Sequence, residues 1–238
     1  MRWEVLADYE AVSVRAAELL LAAIRNERSI VLGLPTGRTP EGMYARIGAQ
    51  CRREYHCFAQ TTTFNLDEYV GVPRTHPASY YSYMRQRLFE HVDLNPARIH
   101  VPCGTAPSLE AECASYERSI RDAGGLALTF LGLGRNGHIG FNEPGAPFES
   151  RTRVVELTAS TRNANAPFFP GGEVPNRAIT MGIATILDSL RIVLIASGAA
   201  KAGAIRRLRD EEPSPEFPAS ALARHPDVLV IVDKAAAG

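Results

Sequence analysis

Short runs of apolar and β-branched residues alternate along this chain with longer segments of helical period, and few architectures accept that alternation. The pattern predicts helix over Ala11–Arg25 before strand Ser29–Leu34, then a helix to about Arg52 with Thr39 as its N-cap and Pro40 first inside. Strand Thr62–Leu66 and a helix from about Ala78 to His91 follow. Next come strand Ile99–Pro102, helix Ser108–Asp122 and strand Leu126–Leu133. Val154–Leu157 reads as a strand and Ile179–Leu190 as mostly helical. The chain finishes with strand Ile192–Ala196, helix Ala199–Arg209, a short helix at Ala219–Ala223 and strand Val228–Val232. Such an order builds an α/β fold, a doubly wound and mostly parallel sheet with helices on both faces. At 238 residues one domain suffices. The Asn-, Pro- and Gly-rich stretch 158–176 breaks the alternation and is either a surface excursion or a lid over a site.

Charge narrows the partners. Lys plus Arg and Asp plus Glu are 26 each, so the chain lacks the positive surplus that nucleic-acid binding requires. The longest apolar runs are strand-sized, which argues against a membrane span, and the N-terminus lacks a secretory pattern. The cysteines at 51, 57, 103 and 113 form no CxxC pair and no zinc spacing, as expected of reduced thiols in a cytoplasmic protein.

In a doubly wound sheet, ligands bind beyond the carboxyl ends of the strands. Several of those ends carry unusual chemistry. The first reads Gly33-Leu34-Pro35-Thr36-Gly37-Arg38-Thr39-Pro40 between a strand and a helix, where free N–H groups and the helix dipole suit a phosphate at Thr36, Gly37, Arg38 and Thr39. It is neither a P-loop nor a dinucleotide fingerprint. The second, Asn65-Leu66-Asp67-Glu68-Tyr69, ends a strand in two acids that are either a general base or turn acids satisfied by backbone N–H groups. The third, Gly132 to Gly145, crowds glycines around Asn136, Gly137, His138 and Glu143. His138 titrates near neutrality and can carry a proton between two oxygens, with Asn136 and Glu143 placed to orient its ring. At a fourth end, Lys201 opens a helix, where a cation opposes the dipole unless an anion is bound. A metal on Asp67, Glu68, His138 and Glu143 is disfavoured, because one histidine and no helix-spaced ligand pair make a poor donor set. No cofactor is expected.

Taken together, LGLPTGRTP at 32–40, FNLDEYVGVPRTHPASYY at 64–81 and LGLGRNGHIGFNEPG at 131–145 resemble the glucosamine-6-phosphate deaminase (isomerase) family. Softer matches lie at 150–154, 179–187 and around Lys201, so the likeness spans about residues 15–232. The related 6-phosphogluconolactonases typically follow the acidic pair with Arg and continue the His motif differently; Tyr69 and IGFNEP favour the deaminase branch.

The resemblance implies a deaminase that works as isomerase and hydrolase on an amino-sugar phosphate. Asp67 would move the C2 proton to C1, His138 would open the sugar ring, and Asn136 and Glu143 would hold the His. Gly137 and Lys201 would join the first loop in binding substrate. Family members range from monomers to hexamers, so a homo-oligomer is allowed. Pro167 stands where the family usually places a lid arginine that contributes to the phosphate site. That leaves Arg162 or Arg38 to compensate, or the substrate to differ, with the galacto epimer first among alternatives. A 6-phosphogluconolactonase and a non-catalytic sugar-phosphate sensor follow.

Overall fold

A computed structural model describes residues 1–53 and 57–238. The first half runs β1 (Arg2–Leu6), α1 (Tyr9–Asn26), β2 (Val31–Leu34), α2 (Glu41–Cys51), β3 (Thr62–Asn65), β4 (Asp67–Tyr69), α3 (Tyr80–Arg87), β5 (Ile99–His100) and α4 (Leu109–Asp122). The second half runs β6 (Leu128–Gly132), β7 (Arg153–Glu156), α5 (Ala159–Asn165), β8 (Arg177–Thr180), α6 (Ile183–Leu187), β9 (Arg191–Ala196), α7 (Ala202–Asp210), β10 (Val228–Asp233) and α8 (Lys234–Ala237).

Seven strands form one parallel sheet in the order β1-β10-β9-β6-β2-β3-β5. Strand side chains alternate between faces, so a strand buried on both sides must be apolar at every position. In β9 and β10, Val193, Ile195, Leu229 and Ile231 pack on one face with Leu20, Tyr44 and Met84 from α1, α2 and α3. Ile192, Leu194, Val228 and Val230 pack on the other with Tyr116, Ile205 and Ala236 from α4, α7 and α8. The order reverses between β2, which leads out to β3, and β6, which leads the other way to β9. That switch point opens a crevice at the carboxyl edge. A three-stranded antiparallel sheet, β4-β8-β7, stands beside the crevice.

Four expectations change. The predicted strand at 62–66 ends at Asn65 as β3 in the main sheet, and beyond Leu66 an additional strand, β4, pairs with β8 in the small one. The segment 179–190 is not mostly helical, because 177–180 is drawn into strand β8 by β4 and β7 before Gly182 starts α6. Thr39 does not cap α2; Pro40 occupies the cap position without any side-chain cap bond. Instead Tyr9 reaches over from α1, and its hydroxyl accepts the Gly42 N–H at 2.8 Å, satisfying one orphan donor of the helix start. Strand β1 is an addition at the sheet edge, paired in parallel with β10.

Candidate active site

The crevice between β2 and β6 is a cleft of about 470 Å³, lined from the ends of β2, β3, β6 and β9 and by residues of α5. Thr36, Gly37, Arg38 and Thr39 form one wall. Their loop is held from below by three tyrosines: Tyr44 Oη donates to Pro35 O at 2.6 Å, Tyr83 Oη to Gly37 O at 2.6 Å and Tyr9 Oη to Arg38 O at 3.2 Å. With the carbonyls occupied away from the cleft, the loop offers an anion its donors rather than its acceptors. Arg38 also lies over the Phe168 ring, 5.2 Å from its centroid.

Across the cleft, the β6 end folds the other three chemistry-bearing residues together. Asn136 Nδ2 donates to Glu143 Oε2 at 2.8 Å, and Asn136 Oδ1 lies 2.8 Å from His138 Nδ1. A carboxylate only accepts, so the Glu143 bond fixes which end of the amide faces the ring. His138 Nδ1 therefore carries the hydrogen, and Nε2 keeps its lone pair. Glu143 is buried and does not line the cleft; its Oε2 is 3.8 Å from His138 Nδ1, and its Oε1 accepts from Thr158 and Thr161. Desolvation holds His138 below its usual range, with Glu143 pulling upward and Lys201 downward.

Two glycines make this turn feasible. A methyl on Gly134 would lie 2.3 Å from His138 Nδ1, so the ring folds back over a bare α-carbon. Gly137 has φ +87° and turns against Phe217, where a methyl would sit 2.2 Å from the ring. Gly137 is not among the residues that line the cleft.

The acidic pair divides. Glu68 turns to the start of α3 and accepts N–H bonds from Tyr69 and Tyr80 at 2.9 Å and from Tyr81 at 3.0 Å. Asp67 faces the cleft, buried to 5% exposure, and its Oδ1 has no hydrogen-bond partner. Burial, then the neighbouring Glu68, push the Asp67 carboxyl up to about 8. Alternation along β4 explains the division: adjacent residues of a strand point to opposite sides.

Lys201 lines the cleft and donates from Nζ to Leu133 O at 2.6 Å; burial, then Arg135, lower its proton affinity. Arg135, Tyr80, Thr161 and Ser197 also line the cleft and were not singled out from the sequence. Arg135 and Tyr80 sit inside the motifs at 131–145 and 64–81, where they were legible; Thr161 gives no such signal. Arg162 is not among the lining residues and instead bonds Asn176 Oδ1 at 2.8 Å, so of the two arginines only Arg38 reaches the cleft. Among the described residues, no group of three or more His, Cys, Asp or Glu is placed to hold a metal. No helix among them is long and apolar enough to cross a membrane.

The same arrangement of strands and loops recurs in known proteins. A solved monomeric glucosamine-6-phosphate deaminase superposes with a TM-score of 0.97 at 47% identity, over 100% of this chain and 99% of that one. The glucosamine-6-phosphate deaminase of Shouchella clausii (strain KSM-K16) is 52% identical, with 97% of this chain and 94% of that protein covered. Glucosamine-6-phosphate deaminase 1 of Bacillus subtilis (strain 168) is 49% identical over 96% and 95%. The 6-phosphogluconolactonase of Thermotoga maritima shares the fold alone, with a TM-score of 0.73 at 20% identity over 98% of this chain and 99% of that one. Residues 7–231 match the family described as glucosamine-6-phosphate isomerases/6-phosphogluconolactonase, and the chain belongs to it.

Proposed function

We propose that this chain converts glucosamine 6-phosphate into fructose 6-phosphate and ammonia in the cytoplasm, as a single α/β unit whose segment 158–176 is a lid. The observation that carries the reading is the pairing of two proton carriers in one cleft: His138 with its Nε2 lone pair free, and Asp67 with an unpartnered carboxyl oxygen.

His138 Nε2 takes the proton of the anomeric hydroxyl and returns it to the ring oxygen, opening the sugar to its aldehyde. Asp67 then removes the C2 proton and delivers it to C1 while one proton of the C2 amine passes to the carbonyl oxygen, so the aldehyde becomes the C1 alcohol and the C2 amine becomes an imine. Water adds to the imine, and ammonia leaves. Isomerisation thus defines the chemistry, with hydrolysis as its last step. The Asp67 carboxyl, which holds its proton to about 8, meets a cationic amine at C2. That charge draws it toward the carboxylate form the reaction needs.

Thr36, Gly37, Arg38 and Thr39, with Lys201, hold the phosphate, and Arg135 joins them. Arg38 takes the place of the arginine that Pro167 cannot supply. Binding the phosphate positions C1 and C2 against the base. Ser160, Thr161, Ala164 and Asn165 line the cleft from α5, which supports the lid reading.

Pro167 keeps one second reading open, the galacto epimer. Ammonia release from purified protein, given each epimer or neither and with Asp67→Asn as control, decides between them. Turnover of glucosamine 6-phosphate that collapses in the mutant is the expected result. Turnover of only the galacto epimer would move the substrate, and no ammonia from either would sink the deaminase reading.

A further inference from the structure

Glu143 has two oxygens and two different clients. Oε2 takes Asn136 Nδ2, which sets the amide that sets the His138 tautomer. Oε1 takes the hydroxyl of Thr161 and, at 3.3 Å, that of Thr158. Both threonines belong to the segment over the cleft: Thr158 caps α5, accepting the Thr161 N–H at 3.2 Å, and Thr161 lies in its first turn. Thr161 is 6% exposed, so its hydroxyl is shielded from water and directed at the carboxylate. A carboxylate free to rotate about its last torsion could offer Asn136 either oxygen or neither. One pinned at Oε1 presents Oε2 in a single direction.

We propose that Thr161 is a positioning residue: by holding Glu143 Oε1 it orients Glu143, Asn136 and His138 in turn, so docking of the 158–176 segment sets the protonation pattern of the proton shuttle. Catalytic competence is then tied to closure. With the segment lifted, Glu143 loses its hydroxyl donors, Asn136 is free to flip, and His138 loses the bond that keeps hydrogen on Nδ1. The inference deepens the deaminase reading and rests on His138 as shuttle, but its core is a claim about one ring that needs no turnover to check.

The test uses the intact chain carrying Thr161→Val, which keeps shape and removes the hydroxyl, and Thr161→Ser, which restores it. Thr161→Ala serves as a second deletion should valine disturb the packing. In the ligand-free protein, ring 15N shifts of His138 should report the Nδ1–H tautomer for wild type and Thr161→Ser, and a severalfold rise in the Nε2–H form for Thr161→Val. With glucosamine 6-phosphate, kcat should fall about tenfold in Thr161→Val while KM moves less, as expected when a charge-assisted bond behind a reacting group is lost. Thr161→Ser should recover most of that loss. An unchanged tautomer in Thr161→Val overturns the proposal, as does equal damage from Val and Ser, which would mean that packing alone matters. A wild-type protein without turnover would sink the deaminase reading and leave the tautomer measurement to decide this one.

Discussion

Replacing Asp67 by Asn should abolish turnover and at the same time stabilise the fold, increasingly so as pH rises. The carboxyl is 5% exposed, one of its oxygens has no partner, and burial with the adjacent Glu68 raises its pKa from 3.8 to about 8. In the unfolded chain the group ionises near 4, whereas the folded protein holds its proton to about 8. Across that window the unfolded state gains relative to the folded one, and the whole cost is present above the folded pKa. Each pH unit inside the window adds about 1.4 kcal/mol, so the cost approaches ~6 kcal/mol at pH 9 and is ~2 kcal/mol at pH 5.

An asparagine never ionises, so it removes the cost at both pH values. It leaves an unpartnered amide behind, a penalty of roughly 1–3 kcal/mol that does not depend on pH. Thr161 and Lys201 are untouched, so the rest of the cleft is constant. The mutant should therefore be near wild type in stability at pH 5 and about 4 kcal/mol more stable at pH 9. Urea unfolding followed by circular dichroism at the two pH values measures this directly, with the pH 9 midpoint moving upward in Asp67→Asn alone. A stability change equal at pH 5 and pH 9 would refute the reasoning, because it would mean that Asp67 carries no raised proton affinity in the fold.

Two further substitutions probe the walls of the cleft. Arg38→Ala should raise KM for glucosamine 6-phosphate by about tenfold to a hundredfold, the usual consequence of losing a charge-assisted contact to an anion, and should weaken inhibition by inorganic phosphate in step; an unchanged KM would remove Arg38 from the phosphate site. Gly137→Ala should destabilise the fold by about 2–4 kcal/mol, lowering the thermal midpoint by on the order of 10 °C, because φ +87° and a contact of 2.2 Å with Phe217 leave no room for a methyl.

Most of the parallel sheet was legible because its strands are buried on both faces. β6, β9 and β10 must be apolar at nearly every position, and such runs stand out from the helices between them. β1 was not legible for the converse reason: Arg2, Trp3 and Glu4 lie on an edge strand that is only half covered, and its partner β10 is far away in sequence. β8 is four residues long and runs straight into the apolar residues of α6, so the joined stretch mimics helical period. Only pairing with β4 and β7, both distant in sequence, makes it a strand. The cap of α2 failed similarly. A threonine before a proline satisfies the local rule, yet a tyrosine from another helix supplies the bond.

The site was legible in its residue types and not in their division of labour. Two adjacent acids at a strand end announce a carboxylate function, but only the register of β4 against β8 says that Asp67 turns to the cleft and Glu68 to the N–H groups of α3. Asn136 carries the same lesson in its sharpest form. An acidic side chain there would set two like charges about as close as the 2.8 Å now spanned by an amide–carboxylate bond, and one of them would have to take a proton. The amide avoids that conflict: it is oriented by Glu143, it orients His138, and it keeps the full negative charge 3.8 Å from the ring rather than in contact with it. A histidine so placed stays neutral with its Nε2 lone pair available, and a group that must first accept a proton from a sugar hydroxyl needs that state.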